Sequence, residues 1–421
     1  MAGQQTSSPS AGRRVGPLFP TVAASYLGYA MMGTLFVPML MSPTDGYLPP
    51  DTSLAGRTTA IGLLLALYPL GSFLGNPLLG SLSDRYGRRP VVLVSTAGTI
   101  LCYFGVAFAL SAKSLLLLAP FLLLCGFIEA TLALTMSAIA DVTKTAERPR
   151  YIGFLYATTS LAYVAGPLLG GVLAEFVGYA LPFWIVSVLL VGVLIWLQFA
   201  FAETLPATAR RAVPLLHSLT SLSQVVTDQR LRRNYLGNFL VFVAAFGFWR
   251  LITIYLVDEW GLSVGPVTAC YAALAVTSSL GNLVLMPRLV GRVAMGPLAL
   301  VALLVGAVSM AAVVVPYELG VPGSLAVAVA FGSLASLGMA LSLSAVAALL
   351  SAAAPVDQQG AVLGNNAALT VLGEVVGVTA GAFLAGIDPA VPVVTLAVLA
   401  AAAPFVLGLR ARRPATLPSG A

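Results

Sequence analysis

The chain has 421 residues, of which 59% are hydrophobic and only 9% are charged, and its formal net charge is +6. Soluble domains carry about a quarter charged residues, so this composition and a mean hydropathy of +0.97 exclude an ordinary soluble protein. The composition predicts an integral membrane protein.

Apolar segments long enough to cross a bilayer follow one another along the chain. A spanning helix needs roughly 20 mostly apolar residues, and twelve such segments fit between residues 18 and 409. The predicted spans are 18–41, 58–81, 90–111, 115–141, 151–174, 180–202, 234–257, 265–287, 296–316, 323–350, 360–384 and 391–409. The sequence therefore predicts an all-α membrane protein with twelve transmembrane helices.

The longest polar insert divides the predicted spans into two groups of six. Residues 203–233 carry charge, Pro and Ser, which is typical of a linker between an N-terminal bundle, 18–202, and a C-terminal bundle, 234–409. Placing this linker and the polar tails, 1–17 and 410–421, on one side of the membrane collects almost all Lys and Arg residues there. By the positive-inside rule, that side and both termini are predicted to be cytoplasmic, in the inner (plasma) membrane of the cell. The positive charge then reflects topology and contact with lipid head groups, and nucleic acid is not an expected partner.

Metal and cofactor chemistry finds little support in the sequence. Cys102, Cys125 and Cys270 lie far apart within apolar segments, and His217, the only histidine, lies in the linker. Neither a cysteine metal site nor a histidine proton relay can be built from these residues, so no metal site is predicted.

The fifth and eleventh spans repeat one another. At one constant offset, Gly153, Ala157, Thr159, Leu161, Val164, Gly166 and Gly170 overlay Gly364, Ala368, Thr370, Leu372, Val375, Gly377 and Gly381. The overlay predicts a duplicated six-helix unit, in which two pseudo-symmetric halves rock about a central site.

A charged motif joins the second and third spans. Residues 80–93 read GSLSDRYGRRPVVL, which resembles the signature loop of the major facilitator superfamily at Gly80, Asp84, Arg85, Gly87 and Arg88. The glycines permit tight turns, and a carboxylate such as Asp84 is favoured near a helix N-terminus. The resemblance implies a conformational latch between the halves, in which Arg88 pairs with Asp141 at the end of the fourth span.

The fifth span carries a second signature. The segment GFLYATTSLAYVAGPLLGG is similar to that of drug:proton antiporters at Gly166, Pro167, Gly170 and Gly171. The order of motifs along nearly the whole chain most resembles the twelve-helix tetracycline-efflux type. This resemblance implies a transporter that uses a proton gradient and no cofactor, with a small-molecule substrate and membrane lipids as its partners. Because a twelve-helix bundle of this kind requires no protein partner, a monomer is expected.

Two charges of that family type are missing here. Tyr29 stands where the tetracycline-efflux type has an Asp in its first helix, and Leu122 stands where many drug antiporters have an Arg in the fourth. A metal-chelated tetracycline is therefore not the expected substrate, and the coupling residues are expected elsewhere.

Three charged residues lie deep within predicted spans: Glu129, Arg250 and Glu374. Charges at bilayer depth cost about 2.5–3.5 kcal/mol each on insertion scales, so they are candidates for function. Glu129 shares a helical face with small residues and is predicted to carry the proton or to bind a cation. The alternative is a protonated Glu hydrogen-bonded to a neighbouring helix. Arg250 and Glu374 are predicted to pair and to contact substrate.

Aromatic and small residues suggest where the cavity and the interface between the halves lie. Phe246 and Trp249 belong to an aromatic face beside Arg250, and with Tyr29 they are candidates to line the cavity, although such faces also pack against protein or lipid. The glycine-rich faces of the fifth and eleventh spans are predicted to lie between the halves, since small residues let helices approach closely. Ordinary helix packing is the alternative.

The predicted function is proton-coupled export of a small amphiphilic or lipophilic compound by alternating access. Export of an endogenous metabolite, such as an anionic metallophore or a lipid-like compound recognised by Arg250, remains open, and proton-coupled uptake is a third option. An enzyme is not expected, because no nucleophile with a base and no metal set is visible. A sensor would usually add a soluble domain, which the short polar segments do not provide.

Overall fold

A computed structural model describes residues 11–144, 147–210, 225, 229, 231–354 and 359–409. The predicted tails, 1–17 and 410–421, lie outside the described residues in whole or in part, as does most of the predicted linker, 203–233, with His217. A short helix, Ala11–Val15, and a 3₁₀ turn, Ala207–Ala209, flank the first half.

Twelve helices are long and apolar enough to cross a membrane. Those of the N-terminal half are α1 Leu18–Met41, α2 Leu54–Tyr86, α3 Arg88–Ser111, α4 Leu115–Val142, α5 Arg148–Val177 and α6 Ala180–Ala200. Those of the C-terminal half are α7 Arg232–Trp260, α8 Val264–Leu289, α9 Met295–Glu318, α10 Ser324–Ala353, α11 Gln359–Ala385 and α12 Ala390–Leu407. The predicted fold class is confirmed.

Helix α2 continues through most of the charged motif. It ends only at Tyr86, and Gly87, with φ of +104°, separates it from α3. A backbone in this left-handed region favours glycine, so the prediction for Gly87 agrees with the structure. The prediction for Gly80 is wrong, because this residue lies inside the helix; Asp84 likewise lies near the end of α2, not at a helix N-terminus.

Helix α4 is broken where the sequence predicted a continuous helix. Its first segment, Leu115–Ile128, ends before Glu129, and its second begins at Thr131. Hydroxyl groups of neighbouring helices bind carbonyl oxygens freed near the break: Ser95 Oγ donates to Ile128 O over 2.6 Å, and Ser72 Oγ donates to Gly126 O over 3.2 Å. These bonds satisfy backbone groups that would be costly to leave unpaired in the membrane.

The repeated helices pack in equivalent ways. A Cβ added to Gly166 of α5 would lie 2.7 Å from Leu27 O of α1, and one added to Gly377 of α11 would lie 2.5 Å from Val243 O of α7. Both glycines therefore permit close packing within one half. Gly170 and Gly381 also face their own halves, so the prediction that these faces lie between the halves is wrong for most of them, while Gly171 does meet Thr268 of α8 across the interface.

The two halves contact each other from mid-depth to one end. Towards that end, α2 packs on α11. A Cβ added to Gly386, just after α11, would lie 2.8 Å from the Cα atom of Ala55, in α2. We call this the closed end. At the opposite end, which carries the charged motif and which we call the basic end, no hydrogen bond joins the two halves among the described residues. Added Cβ atoms on Gly80 of α2 and Gly364 of α11 would meet nothing within 4 Å there.

Candidate functional site

A buried ion pair occupies the centre of the molecule. Arg250 of α7 and Glu374 of α11 are 5% and 7% exposed. Arg250 Nη2 and Nε both donate to Glu374 Oε1, over 2.9 and 3.1 Å. The pairing expected from the sequence is thus present, and the mutual neutralisation explains how two charges are accommodated at this depth.

Tyr29 of α1 connects this pair to the other half. Its hydroxyl group donates to the same Glu374 Oε1 over 2.6 Å, and the Arg250 guanidinium lies over its ring, 4.5 Å from the centroid. The Tyr29 ring also stacks on Tyr68 of α2, with centroids 4.3 Å apart. The ion pair of the C-terminal half is therefore held by a residue of the N-terminal half.

Among the described residues, donors bind only one of the two oxygens of the Glu374 carboxylate. Three donors converge on Glu374 Oε1, whereas Glu374 Oε2 and Arg250 Nη1 have no hydrogen-bond partner in the part of the chain that the structure describes. Arg250 Nη1 lies against Gly33 of α1, where an added Cβ would overlap it. One acceptor and one donor remain for a ligand or water.

A small cavity adjoins Arg250 and Tyr29. Its volume is about 10 Å³, which is room for about one water molecule. The other lining residues are Met32, Phe36, Leu64, Leu65, Tyr68 and Leu122. Tyr29 and Leu122, the two positions that lack the charges of the tetracycline-efflux type, thus both face this cavity.

Phe246 and Trp249 do not line this cavity. Their rings contact each other edge to face, and Trp249 Nε1 donates to Ser336 Oγ of α10 over 3.1 Å. These aromatic residues therefore pack within the C-terminal half in this conformation.

Glu129 lies apart from the ion pair, at the break in α4. It is 5% exposed, and Cys125 Sγ is 3.8 Å from its Oε2 atom. Among the described residues, no Lys or Arg forms a salt bridge with it. Within the part of the chain that the structure describes, Glu129 is thus a buried carboxyl group without a cationic partner, which fits both a proton carrier and a protonated Glu hydrogen-bonded to a neighbouring helix.

The charged motif forms a cluster at the basic end. Arg88 binds three side chains: Nε donates to Asp141 Oδ2 over 2.8 Å, and Nη1 contacts Asp84 Oδ1 at 2.7 Å and Ser83 Oγ at 2.5 Å. Arg85 instead stacks on its neighbour Tyr86. The predicted Arg88–Asp141 pair is present, but all these residues belong to the N-terminal half, so in this conformation the pair does not connect the halves.

Glu203, which the sequence analysis placed in the linker, completes this cluster. Its carboxylate accepts from the backbone N–H groups of Arg88 and Arg89 at the N-terminus of α3, over 2.8 and 3.2 Å. An acid is favoured there by the helix dipole. The sequence signal, a lone acid after the sixth span, does not reveal which helix it will meet.

A second carboxylate was also missed. Glu175 of α5 accepts from Ser263 Oγ and from the backbone N–H of Gly265, both over 2.9 Å, at the start of α8. With Tyr29, it provides the hydrogen bonds between the halves among the described residues. It lies at the closed end, where the sequence analysis singled out no charged residue.

Comparison with known proteins identifies the family. The model of the Major Facilitator Superfamily matches residues 18–332. The chain belongs to the Major Facilitator Superfamily. Members of this family are transporters and not enzymes, and the chain is a multi-pass membrane protein of this group.

Among curated relatives, this major facilitator is similar to tetracycline resistance proteins. It is 41% identical to the class B protein of Escherichia coli over 143 residues, 34% of this chain and 35% of the relative, and 35% identical to the class C protein of Escherichia coli over 163 residues, 39% and 40% of the two chains. These matches span well under half the length of the relatives.

Solved structures match over nearly the whole major facilitator chain. The human organic anion transporter MFSD10 superposes with a TM-score of 0.71 at 20% identity, covering 95% of this chain and all of that one. The xylose transporter XylE from E. coli, in a partially occluded inward-open conformation, gives a TM-score of 0.72 at 14% identity, with 94% and 97% covered. At such identities the likeness concerns the fold alone.

Proposed function

We propose that this protein is a proton-coupled exporter, an antiporter, of a small amphiphilic or lipophilic drug-like compound. It acts as a monomer in the inner (plasma) membrane, with the basic end and both termini in the cytoplasm, and its energy source is the proton gradient rather than a cofactor. Partial similarity to tetracycline resistance proteins supports the direction of transport.

The observation that carries this proposal is the cluster of Tyr29, Arg250 and Glu374. It contains buried charge at the centre of the fold, and its three members come from both halves. Rocking the halves must therefore alter the hydrogen bonds of the ion pair. A substrate that enters from the basic end would meet Arg250 Nη1 and Glu374 Oε2, which no described residue binds, beside aromatic and aliphatic walls.

Glu129 is the proposed proton carrier. It has no cationic partner to fix its charge among the described residues, and the break in α4 places it next to backbone groups that differ from those of a continuous helix. Discontinuous helices form the ion sites of other secondary transporters. Each proton that enters brings about 2.3 kcal/mol per 100 mV of membrane potential, which can drive export against a concentration gradient.

Proton release from proteoliposomes tests this proposal. Under an imposed pH gradient, lipophilic cations and anions are screened for proton counterflow, with wild type, Glu129→Gln and the control Glu318→Gln, an exposed acid at the closed end. We expect wild type and the control to couple substrate to protons, and Glu129→Gln to bind substrate without proton counterflow. Transport that ignores the proton gradient would contradict the proposal.

Export of an endogenous anionic metabolite is the second candidate. The unoccupied donor Arg250 Nη1 favours it, because an anion could bind there without displacing Glu374. In the same assay, this function is supported if only anions act, if Arg250→Ala abolishes the signal, and if Glu129→Gln leaves it intact.

A further inference from the structure

A polar face runs along α8 from the ion pair towards the basic end. Tyr271, Ser278 and Asn282 follow one another at intervals of seven and four residues, so they lie on one side of the helix. Tyr271 is buried and interacts electrostatically with Arg250 and Glu374. Asn282 lies eleven residues further on, which is about 16 Å along the helix axis. The face therefore leads away from the central site.

The neighbours of α8 show that this face points between the two halves. On one side of the face, Thr268 meets Gly171 of α5. On the other side, Gly281 meets α10, where an added Cβ would lie 2.8 Å from a side-chain atom of Leu337. The polar face occupies the shorter arc of the helix between these contacts, whereas Leu280, which is 52% exposed, lies on the longer arc, as expected of a residue that faces lipid. The polar face is thus turned towards the other half.

Asn282 presents hydrogen-bond donors to this space. Its side chain is exposed, and Ser344 Oγ of α10 donates to its Oδ1 atom over 3.0 Å. That bond orients the amide group, and both N–H groups on Nδ2 have no partner in the part of the chain that the structure describes. Ser278 Oγ also has no partner there, and it is not sealed inside the protein. Asn282 is about 10 Å from the end of α8 at Leu289, a depth at which polar groups face water-filled cavities rather than lipid.

The backbone changes its winding at Asn282. Residues Gly281–Leu285 form a π-helical turn, which closes with a hydrogen bond from the N–H of Met286 to Gly281 O. Such turns are frequent at functional sites. Gly281 is buried, whereas the side chains of residues 282–285 are all exposed. The turn thus begins where α8 leaves the packed part of the bundle, and it carries the amide group into the open space.

The groups on this face indicate the class of ligand. Amide and hydroxyl groups donate hydrogen bonds, and neither Ser278 nor Asn282 carries charge. The nearest charged residue along α8, Arg288, donates to Val284 O of its own helix over 2.9 Å. Exposed aliphatic side chains follow at positions 283–285. An uncharged acceptor on an apolar body, such as the carbonyl group of an ester, an amide or a ketone, matches these groups.

We propose that Ser278 and Asn282 form an entry subsite, which binds the carbonyl group of a transported amphiphile before the compound reaches the ion pair. The carbonyl oxygen accepts from Asn282 Nδ2, and the apolar body lies against the exposed aliphatic side chains of α8. This inference rests on the proposed export function and adds a substrate class to it, an amphiphile that carries an uncharged hydrogen-bond acceptor.

Thiol labelling tests the position of the subsite. Asn282→Cys and Leu280→Cys are made in full-length protein whose native cysteines are replaced, and each variant is placed in lipid nanodiscs. A membrane-impermeant maleimide should react several-fold faster at position 282, which faces water, than at position 280, which faces lipid. Equal rates, or a faster reaction at position 280, would overturn the proposal.

Binding of matched ligands tests the chemistry. Pentyltriphenylphosphonium is compared with the analogue whose chain ends in a methyl ester, and 4-pentylbenzenesulfonate with its own methyl ester analogue provides an anionic pair. Calorimetric titration of wild type in nanodiscs should show, in at least one pair, that the ester binds about two- to twelvefold more tightly, as for one hydrogen bond. Asn282→Leu should bind both members of that pair alike.

The matched control is Asn234→Leu, the same change on α7 at a position that faces α10 and α12, and it should keep the preference for the ester. If Asn282→Leu does not fold, Asn282→Ala removes the same donor and should lose the preference too. No saturable binding of either pair, equal binding within both pairs by wild type, or an unchanged preference in the Asn282 variants would overturn the subsite.

These titrations use no proton gradient, so they separate the subsite from the proposed function. Transport that ignores the proton gradient would contradict proton-coupled export and leave the ester preference in place. Proton-coupled export by a wild type that binds both members of each pair alike would overturn the subsite alone.

Discussion

At the scale of single residues, the central ion pair depends on space as much as on charge. Arg250 reaches Glu374 across the surface of α1, and it can lie there only because residue 33 has no side chain. Its guanidinium then fills the gap between Gly33 and the ring of Tyr29. A small residue on one half thus sets the position of a charge on the other.

Gly33→Ala should displace Arg250. The added methyl group would overlap Nη1, so the guanidinium must move away from Glu374. Overpacking of this kind costs about 1–3 kcal/mol, and we expect transport in proteoliposomes to fall by about five- to 150-fold, as such a free-energy cost at the site implies. Gly153→Ala on α5, where an added Cβ meets nothing within 4 Å, is the control and should transport normally. Normal transport by Gly33→Ala would mean that the ion pair is not needed.

Tyr29→Phe should separate the contribution of the hydroxyl group to stability from that of the ring. The ring under Arg250 is kept, while the 2.6 Å hydrogen bond to Glu374 is lost. A hydrogen bond to a charged group contributes about 1.5–3 kcal/mol, so the thermal unfolding midpoint of the purified protein should fall. Tyr26→Phe, whose ring contacts Tyr29 without a hydrogen bond to Glu374, should change the midpoint much less. Equal effects of the two variants would assign no special role to the Tyr29 hydroxyl group.

Sequence reasoning found the buried charges but not the residues that hold them in position. Glu129, Arg250 and Glu374 are conspicuous because charge is rare in apolar segments, and the Arg250–Glu374 pairing follows from opposite charge. Gly33 is one of 41 glycines, and its role depends on the position of a helix more than 200 residues away. Such a contact has no local signal in the sequence.

At the scale of helices, α5 and α8 hold the closed end together. Both oxygens of the Glu175 carboxylate bind the first turn of α8, and α5 approaches α8 closely because Gly171 faces Thr268. These contacts must break if the closed end opens. The strength of this single carboxylate therefore influences how the two conformations are populated.

Glu175→Gln should shift the protein towards the conformation that is open at this end. The amide loses charge at a helix N-terminus, which is worth about 0.3–1 kcal/mol, enough to change the ratio of conformations by about two- to fivefold. Spin labels at positions 51 and 387, in loops of the two halves at the closed end, would report longer distances by pulsed electron resonance. Glu318→Gln, which removes an exposed acid without a bond to the N-terminal half, should leave the distances unchanged. No shift for Glu175→Gln would show that the Gly171 contact alone holds this end.

Helix positions were predictable and helix irregularities were not. The apolar segments gave all twelve helices, because hydropathy follows membrane depth. The break at Glu129 is invisible in that signal, since Cys125, Gly126 and Ala130 are as compatible with a helix as with a break. The end of α2 was placed several residues early for a related reason: the charged residues before Gly87 read as a loop, although a helix can extend beyond the bilayer.

At the scale of the whole molecule, we expect the contact between α2 and α11 to be the axis of the motion between conformations. Gly62 meets Ala382 towards the closed end, and Gly80 and Gly364 lie equally far from that contact along the two helices, at the basic end. Both glycines face open space here. Rocking that opens the closed end should bring them together.

Cysteines at positions 80 and 364 should therefore report the second conformation. In Gly80→Cys, Gly364→Cys, with the native cysteines replaced, cross-linking should be slow at rest and faster when substrate and a proton gradient drive turnover. Cross-linked protein should be inactive, and reduction should restore transport. A pair at 153 and 80, both in the N-terminal half, is the control and should not respond to turnover. Cross-linking that is independent of turnover would contradict alternating access along this contact.

The overall architecture was predictable because it repeats, while the conformation was not. The overlay of the fifth and eleventh spans indicated duplication, and equivalent packing of Gly166 and Gly377 agrees with it. Which end is closed depends on small differences in free energy between two sets of contacts made by the same residues. No pattern of residues in one sequence expresses that difference.

Arg57 near the closed end has a consequence for how the chain is made. Its guanidinium donates to five backbone carbonyl groups, at residues 40–52, and to no carboxylate among the described residues. This charge is therefore satisfied by its own hairpin, α1 with the start of α2. During synthesis, the first hairpin can therefore form its loop from its own residues, before the ten later helices leave the ribosome.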